Sequence, residues 1–262
     1  GIGGLTLQPS ELAKLGVILC FSSLICRMRG RMSTFKYGIL PFAAILGLVV
    51  GLLVLEPHFS ASIIIIAVGG VMMFLGGVRL GWFIGAGSAA AVGIGVLLML
   101  FPYASGRINT WRDPFSSSSD EGYQIVQSLY TIGSGGLSGL GLGMSRQKYL
   151  YLPEEHNDFI FSVVCEELGF IGAALILLLF ALLILRGYWI ALHCRDRFSF
   201  LVVAGITTLL AIQVFLNVAV VTNLVPCTGI SLPFFSYGGT ALLIQLGEMG
   251  IILSASRDVI EK

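Results

Sequence analysis

Seven long apolar stretches divide the chain, and polar segments of unequal length separate them. A helix needs about 20 predominantly apolar residues to cross the roughly 30 Å hydrocarbon core of a bilayer. Hydrocarbon offers the backbone no hydrogen-bond partners, so such stretches must be helical. The pattern predicts an all-α polytopic membrane protein with about seven transmembrane helices, at residues 12–26, 38–55, 60–78, 80–101, 159–185, 199–222 and 238–255.

Composition agrees with this fold class. The 262 residues are 56% hydrophobic and 11% charged, whereas a soluble domain carries about 25% charged residues. Five cysteines are present, but none forms a CxxC pair. We interpret them as buried, unpaired thiols rather than as a disulfide or metal framework.

The charged residues orient the spans. If the spans alternate, ten of the 15 Lys and Arg fall on one side, which is therefore cytoplasmic. Most acidic residues fall on the other side, so we expect the chain to begin outside and end inside. The ten are Arg27, Arg29, Arg31, Lys36, Arg79, Arg186, Arg195, Arg197, Arg257 and Lys262.

A long extracytoplasmic loop, residues 102–157, is predicted between the fourth and fifth spans, and loops of this length usually have a role. Apolar residues at helical spacing within "GYQIVQSLYTIG" indicate an amphipathic helix. Six glycines follow within Gly133–Gly143, without the Gly-Lys-Ser/Thr ending of a nucleotide-binding loop. We expect these glycines to permit tight turns or a close approach of the backbone to a lipid headgroup.

Ionisable residues crowd the start of the fifth span, in "YLPEEHNDFIF". Pro153 fits a helix start, which would put Asp158 about one turn inside the helix. Glu166 would then lie about 12 Å deeper on roughly the same face. Because ionisable groups within a span usually face protein or water, we expect this helix to line a polar cavity open to the outside. His156 fits a hydrogen-bonding neighbour better than a metal ligand, because no second His lies nearby.

A purely structural role is an equally open interpretation for several of these ionisable residues. Glu154 and Glu155 suit the N-terminal end of a helix dipole. Glu166 and Glu167 fit a structural salt bridge as well as a functional role. Their candidate partners are Arg107, Arg112 and Lys148.

Three further polar clusters map to the outer side. "EPHFSAS" places Glu56 and His58 in a short turn, and "QPSELAK" places Lys14 one turn inside the membrane. A buried ammonium needs an anion, either a carboxylate or a substrate phosphate. "VPCTGISLPFFSYGG", which contains Ser236, predicts an irregular re-entrant segment before the last span. From topology, we expect all four clusters to converge on one cavity.

Together these motifs resemble the SEDS family (shape, elongation, division and sporulation proteins), and the FtsW type within it most. The resemblance rests on "QPSELAK", "GYQIVQSLYTIGSGGLSGLGLG", "SRQKYLYLPEEHNDFIFSVVCEELGFIG" and "GISLPFFSYGG", in that order. Family members have ten spans, so the resemblance implies that the first three are absent here. It also implies one transmembrane domain over residues 1–262, with the loop 102–157 inside it.

The resemblance implies a peptidoglycan glycosyltransferase that polymerises lipid II at the outer face of the bacterial cytoplasmic membrane during cell division. The family's essential aspartate lies in "H-T-D-F-I-F", which reads "HNDFIF" here, so the general-base role maps to Asp158. The family often has "EPDLGT" where this chain has "EPHFSA", so His58 replaces an aspartate. The candidate substrate-binding residues are Lys14, Glu56, His58, Arg112, Arg146, Lys148, His156, Glu166 and Ser236.

The leaving pyrophosphate needs positive charge, from Lys14, Arg112, Arg146 and Lys148 or from a divalent cation. We assign no metal ligand. The expected partners are lipid II, a class B penicillin-binding protein as transpeptidase and other divisome membrane proteins at the septum, and no nucleic acid. Two alternatives remain, a lipid II flippase and a divisome scaffold. A flippase needs a path reachable from both faces, whereas the carboxylates here concentrate at one.

Overall fold

The computed structural model describes residues 8–55, 59–88, 110–116, 120–145, 157–257 and 259. Within these ranges the chain forms helices and turns and contains no strand, which confirms the all-α prediction. Residues 80–88 are helical as well. The main helices are α1 (Pro9–Arg27), α2 (Phe35–Gly38), α3 (Leu40–Leu55), α4 (Phe59–Gly76), α5 (Asp120–Gly135), α6 (Ile160–His193), α7 (Arg197–Val221) and α8 (Gly239–Ser256).

The described residues include five helical segments long and apolar enough to cross a membrane: α1, α2 together with α3, α6, α7 and α8. The apolar part of α4, Ser60–Gly76, is shorter. These segments fit a multi-pass membrane protein, while the number of spans stays a prediction. Of the fourth expected span, only residues 80–88 lie in the described part of the chain.

The chain folds as two compact units that each draw on distant parts of the sequence. The first unit comprises Gly1–Ile84, Leu182–Ile212 and Gly238–Lys262. The second comprises Gly85–Ala181 and Gln213–Tyr237. Both α6 and α7 therefore contribute one part to each unit. The expectation of one domain over residues 1–262 stays a prediction.

Close helix packing forms the core of the first unit. Phe21 of α1 meets Phe42 of α3 edge to face, with ring centroids 4.8 Å apart. A side-chain carbon at Gly205 of α7 would lie 2.7 Å from side-chain atoms of Ile18 and Met72. Lipid tails provide no hydrophobic drive to bring membrane helices together, so the helices depend on close van der Waals contact. Small residues permit this contact because they let the helix backbones approach closely.

α6 is two helices joined at a break, not the single span expected at residues 159–185. Gly169 has φ 68° and ψ −172°, which is outside the helical region. Beyond this break the helix runs on to His193, so Arg186 lies within it rather than in the loop that follows. A positive φ of this kind is open to glycine at little cost.

The glycine-rich segment, residues 133–143, supplies hydrogen-bond partners for the backbone groups of α6 that the break leaves without a helical partner. In an unbroken helix, the amides of Phe170 and Ile171 would donate to the carbonyls of Glu166 and Glu167. Instead these carbonyls accept from the amides of Leu140 (2.9 Å) and Gly141 (3.0 Å). The freed amides of Phe170 and Ile171 donate to the carbonyls of Gly136 (2.9 Å) and Leu137 (3.2 Å).

This exchange explains why the segment after α5 is rich in glycine. Positive φ angles at Gly136, Gly139, Gly141 and Gly143 confirm the expected tight turns. A side-chain carbon at Gly139 would overlap the carbonyl of Glu167, so the glycines allow two stretches of protein backbone to touch.

Candidate functional site

Asp158 lies in a turn before α6, not inside the helix. Residues 157–159 form this turn, and the first helical residue is Ile160. The prediction that Asp158 lies one turn inside a helix was therefore wrong, whereas the helix start predicted at Pro153 lies outside the described residues. Phe159 is buried and anchors the turn, while Asp158 is only partly buried. The carboxylate is thus carried by non-helical backbone whose polar groups need partners from elsewhere.

Ser236 supplies one of these partners. Its hydroxyl donates to the carbonyl of Asn157 (2.7 Å) and accepts from the amide of Leu232 (2.8 Å). The segment between α7 and α8 that carries Ser236 is irregular throughout, as the sequence predicted. The candidate residue Ser236 therefore joins the Asp158 turn to this segment through backbone contacts.

Asn217 of α7 supplies the second partner, and sequence reasoning missed it. Its side chain is fully buried, and its amide nitrogen donates to the carbonyls of Asp158 (2.8 Å) and Ile230 (2.6 Å). One side chain thus ties the turn to the irregular segment. The available signal was a lone asparagine among the apolar residues of "VFLNVAVV", because polar side chains within a span usually have a specific partner.

The irregular segment also approaches the Asp158 carboxylate itself. A side-chain carbon at Gly229 would lie 3.1 Å from Oδ2 of Asp158, and Gly229 has φ 62°. Both features favour glycine, because a larger residue would be strained and would crowd the carboxylate. Further along, Phe234 has a positive φ of 65°, and its ring stacks on Phe180 with centroids 6.5 Å apart.

Glu166 lies two turns into α6 and is almost completely buried, at 1% exposure. Its carboxylate accepts hydrogen bonds from the hydroxyls of Ser134 (3.2 Å) and Ser145. The amide of Ser145 also donates to the carboxylate of Glu167 (3.4 Å). Glu166 therefore holds α6 to Ser134 within the glycine-rich segment, and both glutamates hold α6 to Ser145 just after it. Of the salt-bridge partners considered, Arg112 is exposed, and Arg107 and Lys148 lie outside the described residues.

Lys14 is buried in the first unit, where its ammonium lies 2.6 Å from the carboxylate of Glu11. The expected anion is thus a neighbouring carboxylate. Glu248 of α8 is also buried and interacts electrostatically with both residues. The cluster therefore combines two carboxylates with one ammonium. Asp158, Glu166, Arg112 and Ser236, in contrast, all belong to the second unit.

Of the remaining candidate substrate-binding residues, only Arg112 lies within the described part of the chain. Arg112 is exposed beside Trp111, whose indole donates to the carbonyl of Asn223 (3.1 Å). In the described part of the chain, no three His, Cys, Asp or Glu side chains come together in a group that could hold a metal ion. Five substrate-binding candidates lie outside the described residues: Glu56, His58, Arg146, Lys148 and His156.

The helical architecture and the motifs define a class of bacterial membrane protein. The chain belongs to the FtsW/RodA/SpoVE family of cell cycle proteins, whose model matches residues 1–260. Stage V sporulation protein E of Bacillus subtilis (strain 168) is 40% identical over 257 residues, covering 98% of this chain and 70% of that protein. The probable peptidoglycan glycosyltransferase FtsW of Geobacter sp. (strain M18) is 40% identical over 253 residues, covering 97% and 69%.

Solved structures agree with the family assignment. A chain of a peptidoglycan synthase complex that coordinates polymerization and crosslinking matches with a TM-score of 0.82 and 31% identity, covering 100% of this chain and 73% of that one. The rod shape determining protein RodA of Thermus thermophilus matches with a TM-score of 0.66 and 30% identity, covering 100% and 69%. The resemblance to SEDS proteins is thereby confirmed.

Proposed function

We propose that this chain is a peptidoglycan glycosyltransferase that polymerises lipid II at the outer face of the bacterial cytoplasmic membrane, with Asp158 as general base. Family membership and the names of the FtsW relatives support the activity. The observation that carries the catalytic assignment is the Asp158 turn. It presents a carboxylate from non-helical backbone that Asn217 of α7 and Ser236 of the irregular segment hold by hydrogen bonds.

In the reaction, the 4-hydroxyl of the acceptor GlcNAc attacks the anomeric carbon of the donor. A new glycosidic C–O bond forms, the bond to the pyrophosphate breaks, and undecaprenyl pyrophosphate leaves with that bond's electron pair. Asp158 accepts the hydroxyl proton as the bond forms. A base at hydrogen-bond distance from the attacking hydroxyl typically accelerates such a step by about 10²–10⁴-fold.

The surroundings of Asp158 suit this role in two ways. Asp158 is only partly buried as a residue, which is compatible with the approach of a sugar. The turn is fixed at two carbonyls, those of Asn157 and Asp158, by donors from α7 and the irregular segment. A fixed backbone limits reorganisation when the reacting hydroxyl arrives, which is the basis of catalysis by positioning.

The leaving pyrophosphate would be stabilised by cations near the outer face. Arg112 suits this role by its exposure, and Arg146 and Lys148 suit it by their place in the chain. Lys14 is paired with Glu11, so it would contribute mainly by offsetting part of the negative charge of the buried cluster. Glu56, His58 and His156 would contact sugar or phosphate, or a divalent cation would share the charge.

We further propose that the chain works at the division septum with a class B penicillin-binding protein and other divisome membrane proteins. The similarity to a peptidoglycan synthase complex supports a partner of this kind. The sporulation relative is as similar as the FtsW relative, so both roles need to be tested. Localisation of a fluorescent fusion distinguishes them, since a division enzyme gathers at every septum and a sporulation enzyme only in sporulating cells.

Incubation of the purified protein and its partner with lipid II tests the activity. The result we expect is glycan polymer on a gel. Transfer of lipid II across vesicle membranes without any polymer would instead establish a flippase. If a folded protein bound to its partner gives no polymer and transfers no lipid II, that result would favour a scaffold.

A further inference from the structure

We propose that Asn217 is a positioning residue for Asp158, which it holds in place through two hydrogen bonds from one buried amide. The inference rests on the proposed function, because it assigns Asn217 a part in the reaction that Asp158 performs. It concerns a residue outside the motifs that carry the family resemblance.

The hydrogen-bond partners determine which atom of the Asn217 side-chain amide faces them. Both partners of Asn217 are backbone carbonyls, those of Asp158 and Ile230, and a carbonyl can only accept. The atom that contacts them must therefore be the NH₂ group. Its oxygen has no hydrogen-bond partner among the described residues. Within this part of the chain, Asn217 acts entirely through its two donors.

The two carbonyls belong to segments far apart in sequence. Asp158 precedes Asn217 by 59 residues, whereas Ile230 follows it by 13. The first carbonyl belongs to the catalytic residue itself, and the second adjoins Gly229, whose backbone closely approaches the Asp158 carboxylate. Asn217 therefore sets the position of the aspartate backbone and of the loop that borders its side chain at the same time.

Burial makes these bonds consequential. Asn217 is 0% exposed and its bond to the carbonyl of Ile230 is buried, so this carbonyl has no ready replacement for the amide when the amide is removed. The turn would then be free to shift relative to the irregular segment. A displacement of about 1 Å at a reacting group can cost about 100-fold in rate.

The experiment measures lipid II polymerisation by the protein bound to its penicillin-binding partner, for Asn217→Ala and a matched control. We expect Asn217→Ala to lower kcat about 10- to 100-fold while KM for lipid II stays within about twofold. Hydrogen exchange at residues 157–159 should rise in the same variant.

Ser128→Ala is the control. Ser128 is equally buried, and its hydroxyl also has two partners, Ser162 and the carbonyl of Val221, one turn from Asn217 on α7. We expect a comparable fall in thermal stability for both variants, but a kcat near that of the wild type and unchanged exchange at residues 157–159 for Ser128→Ala. An equal loss of kcat in both variants would reduce Asn217 to a structural residue.

If Asn217→Ala fails to fold, Asn217→Ser tests the same proposal, since a hydroxyl has one proton and can donate to only one of the two carbonyls that the amide contacts. The same fall in kcat with faster exchange at residues 157–159 supports the proposal, and an unchanged kcat overturns it. Asp158→Asn measured in parallel separates the two ideas. Polymerisation retained by Asp158→Asn defeats the proposed function. Polymerisation lost in Asp158→Asn but retained in Asn217→Ala defeats only the positioning role.

Discussion

At the scale of single residues, the chemistry of Asp158 depends on contacts that local sequence does not reveal. A proline followed by acidic residues is typical of a helix start, so the sequence predicted a helix that included Asp158. The partners that hold the turn lie 59 and 79 residues away along the chain. The resemblance of the "HNDFIF" motif to the family therefore identified the candidate base, while its backbone conformation and its support by Asn217 required the fold.

Glu166 offers a test of whether a buried carboxylate serves structure or substrate. We expect Glu166→Ala to destabilise the fold by about 1–3 kcal/mol, because the hydroxyl of Ser145 loses the Glu166 carboxylate and that of Ser134 keeps only the carbonyl of Thr131 as an acceptor. Glu166→Gln should stay folded and keep at least about half of the activity, since hydroxyls can reorient towards an amide. Thermal unfolding in detergent and a polymerisation assay measure the two effects. A well-folded but inactive Glu166→Gln protein would place Glu166 in substrate binding.

At the scale of elements, α6 shows what hydropathy misses. Its apolar residues continue through the break at Gly169, so the pattern predicts one uninterrupted span. The break exists because the glycine-rich segment supplies the donors and acceptors that the helix gives up. The high glycine content could be read from the sequence, but the backbone of α6 that this segment pairs with could not.

The break makes Gly169 sensitive to substitution. We expect Gly169→Ala to lower stability by more than about 1 kcal/mol, because φ is 68° and the new carbon would overlap backbone atoms of Leu137 and Gly139. Gly133→Ala is the control: this position is helical, and among the described residues no atom outside the adjoining helix backbone lies within 4 Å of the added carbon. Its stability should stay equal or rise slightly. Equal melting temperatures for the two variants would contradict the exchange of hydrogen bonds at the break.

The start of α7 provides a pH-dependent element. The backbone amide of Ser199 donates to the carboxylate of Asp196 (2.8 Å), and this bond lowers the pKa of Asp196 below its ordinary value. A lowered pKa adds stability above the unfolded value of about 4, and this stability is lost as the pH falls through the folded value.

We therefore expect Asp196→Ala to cost about 0.5–1 kcal/mol at pH 7, since Asp196 is exposed and solvent screens its charge. The difference from wild type should shrink as the pH falls below about 4. Asp196→Asn should resemble wild type at pH 7, because asparagine also caps helices. Melting curves of the wild type and both variants at pH 7 and below about pH 4 test this prediction. A stability difference between wild type and Asp196→Ala that grows in acid would refute it.

At the scale of the whole molecule, hydropathy predicted the helices well. The bounds of α1, α3, α7 and α8 differ from the predicted spans by only a few residues. This agreement follows from the membrane, because a segment in hydrocarbon must be both apolar and helical. The division into two units was not visible in the sequence, since each unit joins segments distant along the chain.

Membrane orientation is the prediction that belongs to this scale. In a variant with its native cysteines replaced, we introduce a cysteine at Asp113 or at Arg195, both of which are exposed. A membrane-impermeant maleimide should label position 113 in intact spheroplasts, and position 195 only after permeabilisation, because basic loops stay in the cytoplasm. The reverse pattern would place the Asp158 turn on the cytoplasmic side and exclude the proposed reaction there.

The most direct test of the central claim compares Asp158→Asn with Asp113→Asn in the polymerisation of purified lipid II. Asparagine keeps the shape of aspartate but cannot accept the hydroxyl proton at neutral pH. We predict that Asp158→Asn stays folded, binds its partner and makes at least about 100-fold less polymer. Asp113→Asn, which alters an exposed carboxylate elsewhere in the second unit, should polymerise at the wild-type rate. Wild-type polymerisation by Asp158→Asn would contradict the assignment of Asp158 as general base.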